Sequence, residues 1–256
     1  GAPGGVLTEV AIFSGPLAGA YNMQQDASIR IQSDQHEDGL GSGWVSEDLD
    51  GNGQLDIVVS APGYLRDGIA TGTVFMFRDI QAGSLQLSDA DTQWWGEGEI
   101  YMGDTVALAD DQEGDGSPDL WIGAWDNLNG DVTCSLRRIS SSAPNGLVAD
   151  HSIVTVLGGY GGTRALAEDL NLDGSSDLVL GNSEGSGNLF LFYGPMLGTV
   201  DTTAADAWYG GEFGIGGYNP ILAGDTDGDG NLEVASGAAP ENNYSGAVVL
   251  LEVEVW

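Results

Sequence analysis

Oxygen-bearing side chains recur at alternate positions in four short stretches of the chain, and an apolar run follows each stretch at once. The stretches begin at Asp48, Asp111, Asp169 and Asp225, and the first reads DLDGNGQLDIVVSAP. Numbered from that first Asp, each stretch carries Asp, Glu or Asn at positions 1, 3, 5 and 9 and Gly at position 6. Carboxylates two residues apart on a tight loop can converge on one point, as a hard divalent cation requires.

The spacing predicts one cation site in each of the four loops. Ca2+ accepts about six to eight oxygens in an irregular cage, whereas Zn2+ prefers His or Cys and Mg2+ retains more water. Gly at position 6 permits the sharp turn after which position 7 can offer its backbone carbonyl. We expect about four Ca2+ per chain, one for each loop. The predicted ligands are Asp48, Asp50, Asn52, Gln54 and Asp56; Asp111, Glu113, Asp115, Ser117 and Asp119; Asp169, Asn171, Asp173, Ser175 and Asp177; and Asp225, Asp227, Asp229, Asn231 and Glu233.

Two other kinds of loop contain similar residues. An EF-hand needs Glu at position 12 and a helix on each side, but position 12 is Val59, Ile122, Leu180 or Ser236 and a strand pattern follows. Simple Asp/Asn/Gly turns between strands need no ion. Four loops in the same phase, each with an acidic residue at position 9, make that plainer interpretation the weaker one.

The charge of the chain favours cations as partners. It carries 39 acidic and 6 basic residues, for a net charge of −33, and all the basic residues are Arg. Such a field repels nucleic acid and anionic lipid, and no apolar run is long enough to span a membrane, so we expect neither nucleic-acid binding nor membrane insertion. A solubilising surface suited to salty surroundings is the other source of this charge. Cys134 is the only cysteine, so no internal disulfide staples the chain.

The loops mark an internal repeat, because their starts are 63, 58 and 56 residues apart. In each unit a short strand enters the loop, a second leaves it, a third follows a Gly/Asn-rich turn and a fourth closes the unit. The first unit shows these as GWVSEDL, LDIVVSA, GTVFMFRD and TQWWGE. This pattern predicts an all-β fold, and four-stranded repeats of this length are typical of a β-propeller, with four blades favoured. We expect a single domain, 1–256, with an N-terminal closing segment at 1–42 and repeats at approximately 43–100, 101–160, 161–214 and 215–256.

The termini are predicted to close this ring. The last unit ends after its third strand, AVVLLEVEVW, and Ala27–Ser33 has the pattern of the missing outer strand. We therefore expect Ala27–Ser33 to pair beside the unit that ends at Trp256. The segment Val6–Phe13 resembles a third strand and is left over. It could cap an edge, support self-association with a second chain, or belong to a longer array.

Two loops in particular, DLDGNGQLDIVVSAP and DTDGDGNLEVASGAAP, resemble the FG-GAP repeat of integrin α-subunit propellers. In that repeat a D-x-D-x-D-G-x-x-D loop joins the first two strands of a blade and precedes Gly-Ala-Pro. The Phe-Gly half survives here as FSGP and FYGP, and the Gly-Ala-Pro half is reduced to SAP, GAW, GNS and GAAP. The resemblance implies a calcium-loaded propeller with the ligands given above. Because the integrin propeller has seven blades, a segment of a larger ring is the alternative to four blades.

The function expected from these features is calcium-dependent binding of an extracellular protein or glycan, or cell adhesion, at an extracellular or cell-surface location. Calcium concentrations outside the cell fill weak acidic loops, and ligands dock on loops. We expect no enzymatic activity. The alternative is an accessory or catalytic propeller module of a secreted polysaccharide- or lipid-degrading enzyme, since similar repeats accompany such enzymes, and a third possibility is a structural spacer. Gly181–Gly185 matches G-x-S-x-G, but a strand follows it and no His lies downstream.

Aromatic and basic residues outside the loops have structural interpretations. Trp94, Trp95, Trp208 and Tyr209 occupy predicted fourth strands, where packing between units is expected and sugar stacking is the alternative. Arg137 and Arg138 are predicted to form a solvated strand end.

Overall fold

The computed structural model describes residues 7–16, 18–98, 100–126, 133–158, 164–182, 188–210, 215–238 and 247–252. Within these ranges the chain is an all-β protein, as predicted, with two short α-helices of four residues each and two 3-10 turns, Leu87–Asp89 and Thr202–Ala204. The helices are α1, Met23–Asp26, and α2, Val148–His151. The strands are β1 Leu7–Ile12, β2 Ile29–His36, β3 Trp44–Glu47, β4 Asp56–Ala61, β5 Leu65–Arg66, β6 Ile69–Ala70, β7 Thr73–Phe77, β8 Gly83–Gln86, β9 Thr92–Trp95, β10 Ile100–Ala109, β11 Asp119–Asp126, β12 Thr133–Ser140, β13 Gly146–Leu147, β14 Val154–Leu157, β15 Arg164–Glu168, β16 Asp177–Asn182, β17 Asn188–Phe192, β18 Gly198–Asp201, β19 Ala207–Gly210, β20 Ile215–Gly224, β21 Glu233–Ala238 and β22 Ala247–Glu252.

A four-stranded antiparallel arrangement recurs in three of the sheets. The orders are β3-β4-β7-β9, β10-β11-β12-β14 and β15-β16-β17-β19, and a fourth sheet contains β20-β21-β22. In each of these sheets the acidic loop joins the first strand to the second. The strands predicted around the loops are therefore confirmed within the described residues. None of the sheets closes on itself as a barrel.

Short parallel strands link the N-terminal hairpin to the first unit, the first unit to the second and the second unit to the third. Strand β8 pairs with β2, β13 pairs with β9 and β18 pairs with β14. Each of these added strands lies between the third and fourth strands of its own unit. Backbone hydrogen bonds therefore link consecutive units, in addition to side-chain packing.

The N-terminal strands occupy a different place from the one predicted. Strand β2, which contains most of Ala27–Ser33, pairs antiparallel with β1 on one edge and parallel with β8 on the other. Both of its edges are taken, so the expected pairing beside the last unit is wrong for the described residues. Residues 13–28 join β1 to β2, and closing a connection of that length costs less chain entropy than pairing the two ends of the molecule. Trp256 lies outside the described residues.

The core consists of apolar layers between neighbouring sheets. One layer joins Val58, Met76 and Trp94 of the first unit to Leu120 and Ile122 of the second. Corresponding layers lie between the second and third units, between the third and fourth, and between the β1–β2 hairpin and the first unit. The second strand of a unit is sandwiched between two such layers. For this reason all six residues of β4 are buried, and Ile57, Val58 and Val59 are apolar in succession rather than alternating with polar residues.

The aromatic residues of the fourth strands divide between core and surface. Trp94 is fully buried, and its indole N–H donates to the carbonyl of Ala143 at 3.2 Å. The Arg66 guanidinium lies over the ring of Trp95, 3.9 Å from its centroid. Trp208 is 65% exposed and Tyr209 is 39% exposed, so the expected packing role is wrong for Trp208. Among the described residues, no helix has the length and apolar character needed to cross a bilayer.

Candidate metal sites in the acidic loops

Backbone N–H groups fold the four loops around their first carboxylate. The N–H of the position 6 glycine donates to the position 1 carboxylate in every loop, at 2.7–3.1 Å. The glycines adopt φ values of 88–99°, a left-handed backbone that favours residues without a Cβ. They are Gly53, Gly116, Gly174 and Gly230. The sequence pattern therefore specifies the turn before any ion is considered.

A second hydrogen bond repeats at position 5. The side-chain oxygen of Asn52, Asp115, Asp173 or Asp229 accepts from the backbone N–H two residues later, at 2.8–2.9 Å. These are Asx turns, in which a short polar side chain substitutes for a backbone acceptor. They fix the backbone between positions 5 and 7 of each loop.

The position 9 carboxylate anchors the loop to the strands. Asp56 is fully buried, and its two oxygens accept from the N–H groups of Leu49 and Asp79, both at 2.9 Å. Asp177 accepts in the same way from Leu170 at 3.1 Å and from Gly194 at 2.8 Å. Burial raises the pKa of Asp177, and these backbone donors oppose the rise. In the first and third loops position 9 thus ties the loop to the turn after the third strand, a role that the sequence pattern did not indicate.

The first and fourth loops bring three carboxylates together. Ligand atoms of Asp48, Asp50 and Asp56 lie within 4.8 Å of one another, and so do those of a second group in the fourth loop. That second group is Asp225, Asp227 and Asp229. Both donor sets consist of hard oxygens and carry several negative charges, so they fit a divalent cation of the calcium type. In the fourth loop Glu233 is also buried, and its Oε2 accepts from the N–H of Thr226 at 2.6 Å.

The first loop has two neighbours that sequence reasoning missed. The Asn52 side-chain amide donates to Oδ1 of Asp79 at 2.7 Å, and Nη1 of Arg78 lies 3.4 Å from Oδ2 of Asp50. Both residues directly follow the third strand, and pairing of β4 with β7 brings this point beside the loop. The FMFRD stretch contains both residues, but only the register of β4 with β7 shows that they reach the loop.

The third loop has the same backbone turn with fewer charges. Asn171 stands at position 3, and its amide N–H donates to Oδ2 of Asp173 at 3.0 Å. Its carboxylates, Asp169, Asp173 and Asp177, are not gathered as closely as those of the first and fourth loops among the described residues. The donor set still consists only of oxygens, so it fits a hard cation with one amide ligand.

A buried arginine on β12 lies against the second loop. Arg138 is 1% exposed, so the predicted solvated strand end is wrong for this residue. Its Nη2 lies 2.5 Å from Oε1 of Glu113, and its Nε lies 3.3 Å from Oδ2 of Asp119. Burial raises the pKa of the Asp119 carboxyl, Glu113 raises it further, and the Arg138 guanidinium opposes both. Two of the predicted metal ligands of this loop therefore face an arginine.

The other carboxylates of the second loop are held separately. Hydroxyl groups of Ser140 and Ser142 donate to Oδ2 of Asp115 at 2.7 and 3.0 Å. The Ser140 hydrogen bond is the main reason that the pKa of Asp115 is lowered. Asp111 accepts only backbone N–H groups of its own loop, at 2.7–3.0 Å. The four acidic side chains thus point to three different sets of partners, and this donor set does not fit a single ion as it stands.

Position 4 gives a testable difference between the loops. It is a glycine with φ of 72–85° in three loops, but it is Leu172, with φ of 58°, in the third. A left-handed backbone costs a residue with a Cβ about 1–2 kcal/mol, and Leu172 is 60% exposed, so it gains little from burial. Leu172→Gly should therefore raise the free energy of unfolding by about 0.5–1 kcal/mol, after allowing for the greater entropy of unfolded Gly. Urea denaturation measures this change.

Leu55→Gly is the matched control for that substitution. Leu55 is also an exposed leucine at the edge of an acidic loop, at 43% exposure, but its φ is not positive. The Leu55→Gly substitution should lower the free energy of unfolding by about 0.5–1 kcal/mol. Equal effects of the two substitutions would contradict backbone strain at Leu172.

No protein-family model matches this chain. The resemblance to the FG-GAP repeat therefore stays a prediction that rests on the loop motifs.

Proposed function

We propose that this chain is a calcium-binding protein of the integrin-like propeller type, with Ca2+ bound in its first, third and fourth loops. The observation that carries this proposal is the gathering of three carboxylates within 4.8 Å in the first and fourth loops. At such distances the carboxylates repel one another unless a cation lies between them. We include the third loop because its turn has the same hydrogen bonds as those of the first and fourth loops.

Several features favour calcium over other cations. The loops offer carboxylate and amide oxygens and no His or Cys side chain, which argues against zinc and other softer metals. Three or more protein oxygens from one short loop exceed the one or two carboxylates that Mg2+ normally takes from a protein. Loops on the protein surface with this charge bind Ca2+ at about 0.1–1 mM in extracellular modules. An extracellular or cell-surface location is therefore part of the proposal.

A propeller is the proposed arrangement of the sheets. Support comes from the repeated antiparallel order, the apolar layers between consecutive sheets and the parallel strands that join the second unit to the first and the third to the second. Such sheets arranged radially would place the acidic loops at equivalent points of successive blades. This pattern is compatible with a ring of four blades and with part of a larger ring.

The proposed activity is calcium-dependent binding of a protein or glycan, or adhesion, through exposed loops and strand ends. Trp208 is 65% exposed on the last strand of the third unit, where its ring offers flat contact area with a polar tip. This exposed indole favours a glycan as the first ligand class to test. A glycan array in Ca2+ and again in EDTA tests binding, and a polysaccharide-lyase assay on the same sample tests the enzymatic alternative.

The metal sites are tested by charge-neutral substitutions in the fourth loop. Asp225→Asn combined with Asp229→Asn keeps the side-chain acceptors that fold the turn but removes two of its three clustered charges. We expect the wild type to bind about three Ca2+ and this variant to bind one fewer, since charge count sets the affinity of such loops. Isothermal titration and elemental analysis after dialysis measure the count.

The matched control removes two charges elsewhere. Glu97→Gln combined with Asp150→Asn changes exposed acids outside the loops and should leave the count unchanged. If both double variants lose calcium to the same extent, the ions are held by the general negative field and the loop sites do not exist.

A further inference from the structure

Arg138 occupies a position that is apolar in the other units. The second and third strands pair so that the residue two places after loop position 9 faces a fixed partner across the sheet. These pairs are Val58 with Met76, Trp121 with Arg138, Val179 with Leu191, and Ala235 with Leu250. The second unit thus places a guanidinium where its neighbours place Met or Leu.

The position is deep in the layer between the second and third units. Trp121, the strand partner of Arg138, belongs to that layer, and the guanidinium carbon lies 5.8 Å from the centroid of its ring. An arginine at 1% exposure is stable only if opposite charges and acceptors replace its water. Glu113 and Asp119 supply the charges, and side-chain and backbone carbonyls accept from the two Nη groups, whereas Nε has no hydrogen-bond partner among the described residues.

Those carbonyls connect the second loop to the third unit. Arg138 donates to the side-chain carbonyl of Gln112, and its Nη2 donates to the backbone carbonyl of Met196 at 3.2 Å. The Gln112 amide in turn donates to the carbonyl of Ser176 at 2.7 Å. Met196 and Ser176 belong to the third unit. The guanidinium therefore closes a network that spans two units without any metal.

We propose that the Arg138 guanidinium replaces the metal ion of the second loop, so that this loop takes no Ca2+ and stays folded in its absence. Glu113 and Asp119, the residues at ligand positions 3 and 9, are used by the arginine, and a divalent cation placed between them would meet a positive charge at contact distance. The chain then carries about three calcium sites, and one junction between units is independent of calcium. The expected count of three rests on the function proposed for the other loops.

The proposal is tested first by removing charges of the second loop that Arg138 does not touch. Asp111→Asn combined with Asp115→Asn alters positions 1 and 5, the same positions as the Asp225→Asn and Asp229→Asn pair of the fourth loop. We expect no loss of bound Ca2+ from the second-loop variant and a loss of one ion from the fourth-loop variant. Loss of one ion from each overturns the proposal and leaves the calcium function intact.

The second test restores the apolar residue of the other units. Arg138→Met should lower the melting temperature in EDTA by about 10 °C, because the buried Asp119 and the partly exposed Glu113 lose their cationic partner. In Ca2+ the same variant should bind one more ion than the wild type. Arg137→Met, the neighbouring arginine on the same strand, should change neither value to this extent. A folded Arg138→Met protein with an unchanged ion count overturns the proposal.

Failure of the calcium function has a separate signature. If the wild type binds no Ca2+ and no loop variant changes that, the proposed function fails. The melting temperature in EDTA then decides alone whether the Arg138 guanidinium stabilises the second loop as proposed. A fall of about 10 °C for Arg138→Met supports it, and unchanged melting overturns it. If Arg138→Met does not fold while Arg137→Met does, the ion count of the second-loop double variant is decisive.

Discussion

Removal of calcium is expected to lower the melting temperature of this chain by about 10–30 °C. Each site adds about 2.7 kcal/mol to stability when free Ca2+ is a hundredfold above its dissociation constant, and about half of that at tenfold. Three independent sites would add about 4–8 kcal/mol, and each kcal/mol shifts the melting temperature of a chain of this size by about 2–4 °C. Differential scanning calorimetry in Ca2+ and in EDTA measures the shift.

Repulsion within the empty loops adds to this effect. In the first and fourth loops three carboxylates lie within 4.8 Å of one another. A pair of like charges at about 4 Å repels by about 1–4 kcal/mol, depending on the local dielectric. Because each loop joins the first two strands of a sheet, its spreading disturbs the register of those strands.

Hydrogen bonds in the loops oppose this loss. The position 6 and position 5 turns, and the buried anchor at position 9, hold the loops in shape without an ion. They limit how much of the fold depends on calcium. If the ions leave in EDTA and the melting temperature moves by less than about 2 °C, these hydrogen bonds alone fix the strand register.

Variants of single loops measure how much each site contributes to the calcium-dependent shift in melting temperature. The Asp225→Asn and Asp229→Asn pair should remove about a third of the calcium-dependent shift, since it removes one of three proposed sites. The second-loop pair at Asp111 and Asp115 should remove none of it. The Glu97→Gln and Asp150→Asn pair controls for loss of charge alone, because both acids are exposed and lie outside the loops.

Local features of the fold could be predicted from the sequence, because they depend on residues that are close along the chain. Gly at position 6 and Asx residues at positions 1 and 5 specify the loop turns, and apolar runs bounded by Gly specify the strands. Both are present as predicted among the described residues. The alternation of oxygen-bearing residues likewise led to the clusters of the first and fourth loops.

Features that depend on pairing between distant strands could not be predicted in this way. Arg138 lies 25 residues beyond Glu113, and only the register of β11 with β12 shows that its side chain reaches the loop. Trp208 and Trp94 share a local sequence pattern, yet Trp208 is exposed and Trp94 is buried. The equivalent backbone hydrogen bonds to Asp91 and Asp206 place Trp208 at the position of Gln93, on the other face of the strand from the position of Trp94. The partner of β2 was missed for the same reason.

Removal of residues 1–34 should abolish soluble, cooperatively folded protein. This deletion takes away β1 and most of β2, which cover one face of the first unit. Ile31 is fully buried against that face, and Phe75 and Phe77 beneath it are 1% and 2% exposed. The truncated chain would expose this apolar layer together with the free edge of β8, and both favour aggregation. Size-exclusion chromatography and calorimetry of the truncated chain measure the outcome.

A point substitution separates loss of packing from loss of the segment as a whole. Ile31→Ala should cost about 2–5 kcal/mol and lower the melting temperature by about 5–15 °C, because it leaves a cavity under a sheet that is otherwise intact. Ser84→Ala, at an exposed position of the adjacent strand β8, is the control and should change stability by less than about 0.5 kcal/mol. The hairpin is an essential part of the first unit only if the deletion has a larger effect than Ile31→Ala. A soluble truncated chain that melts at the temperature of the wild type would show that the first unit folds without its N-terminal cover.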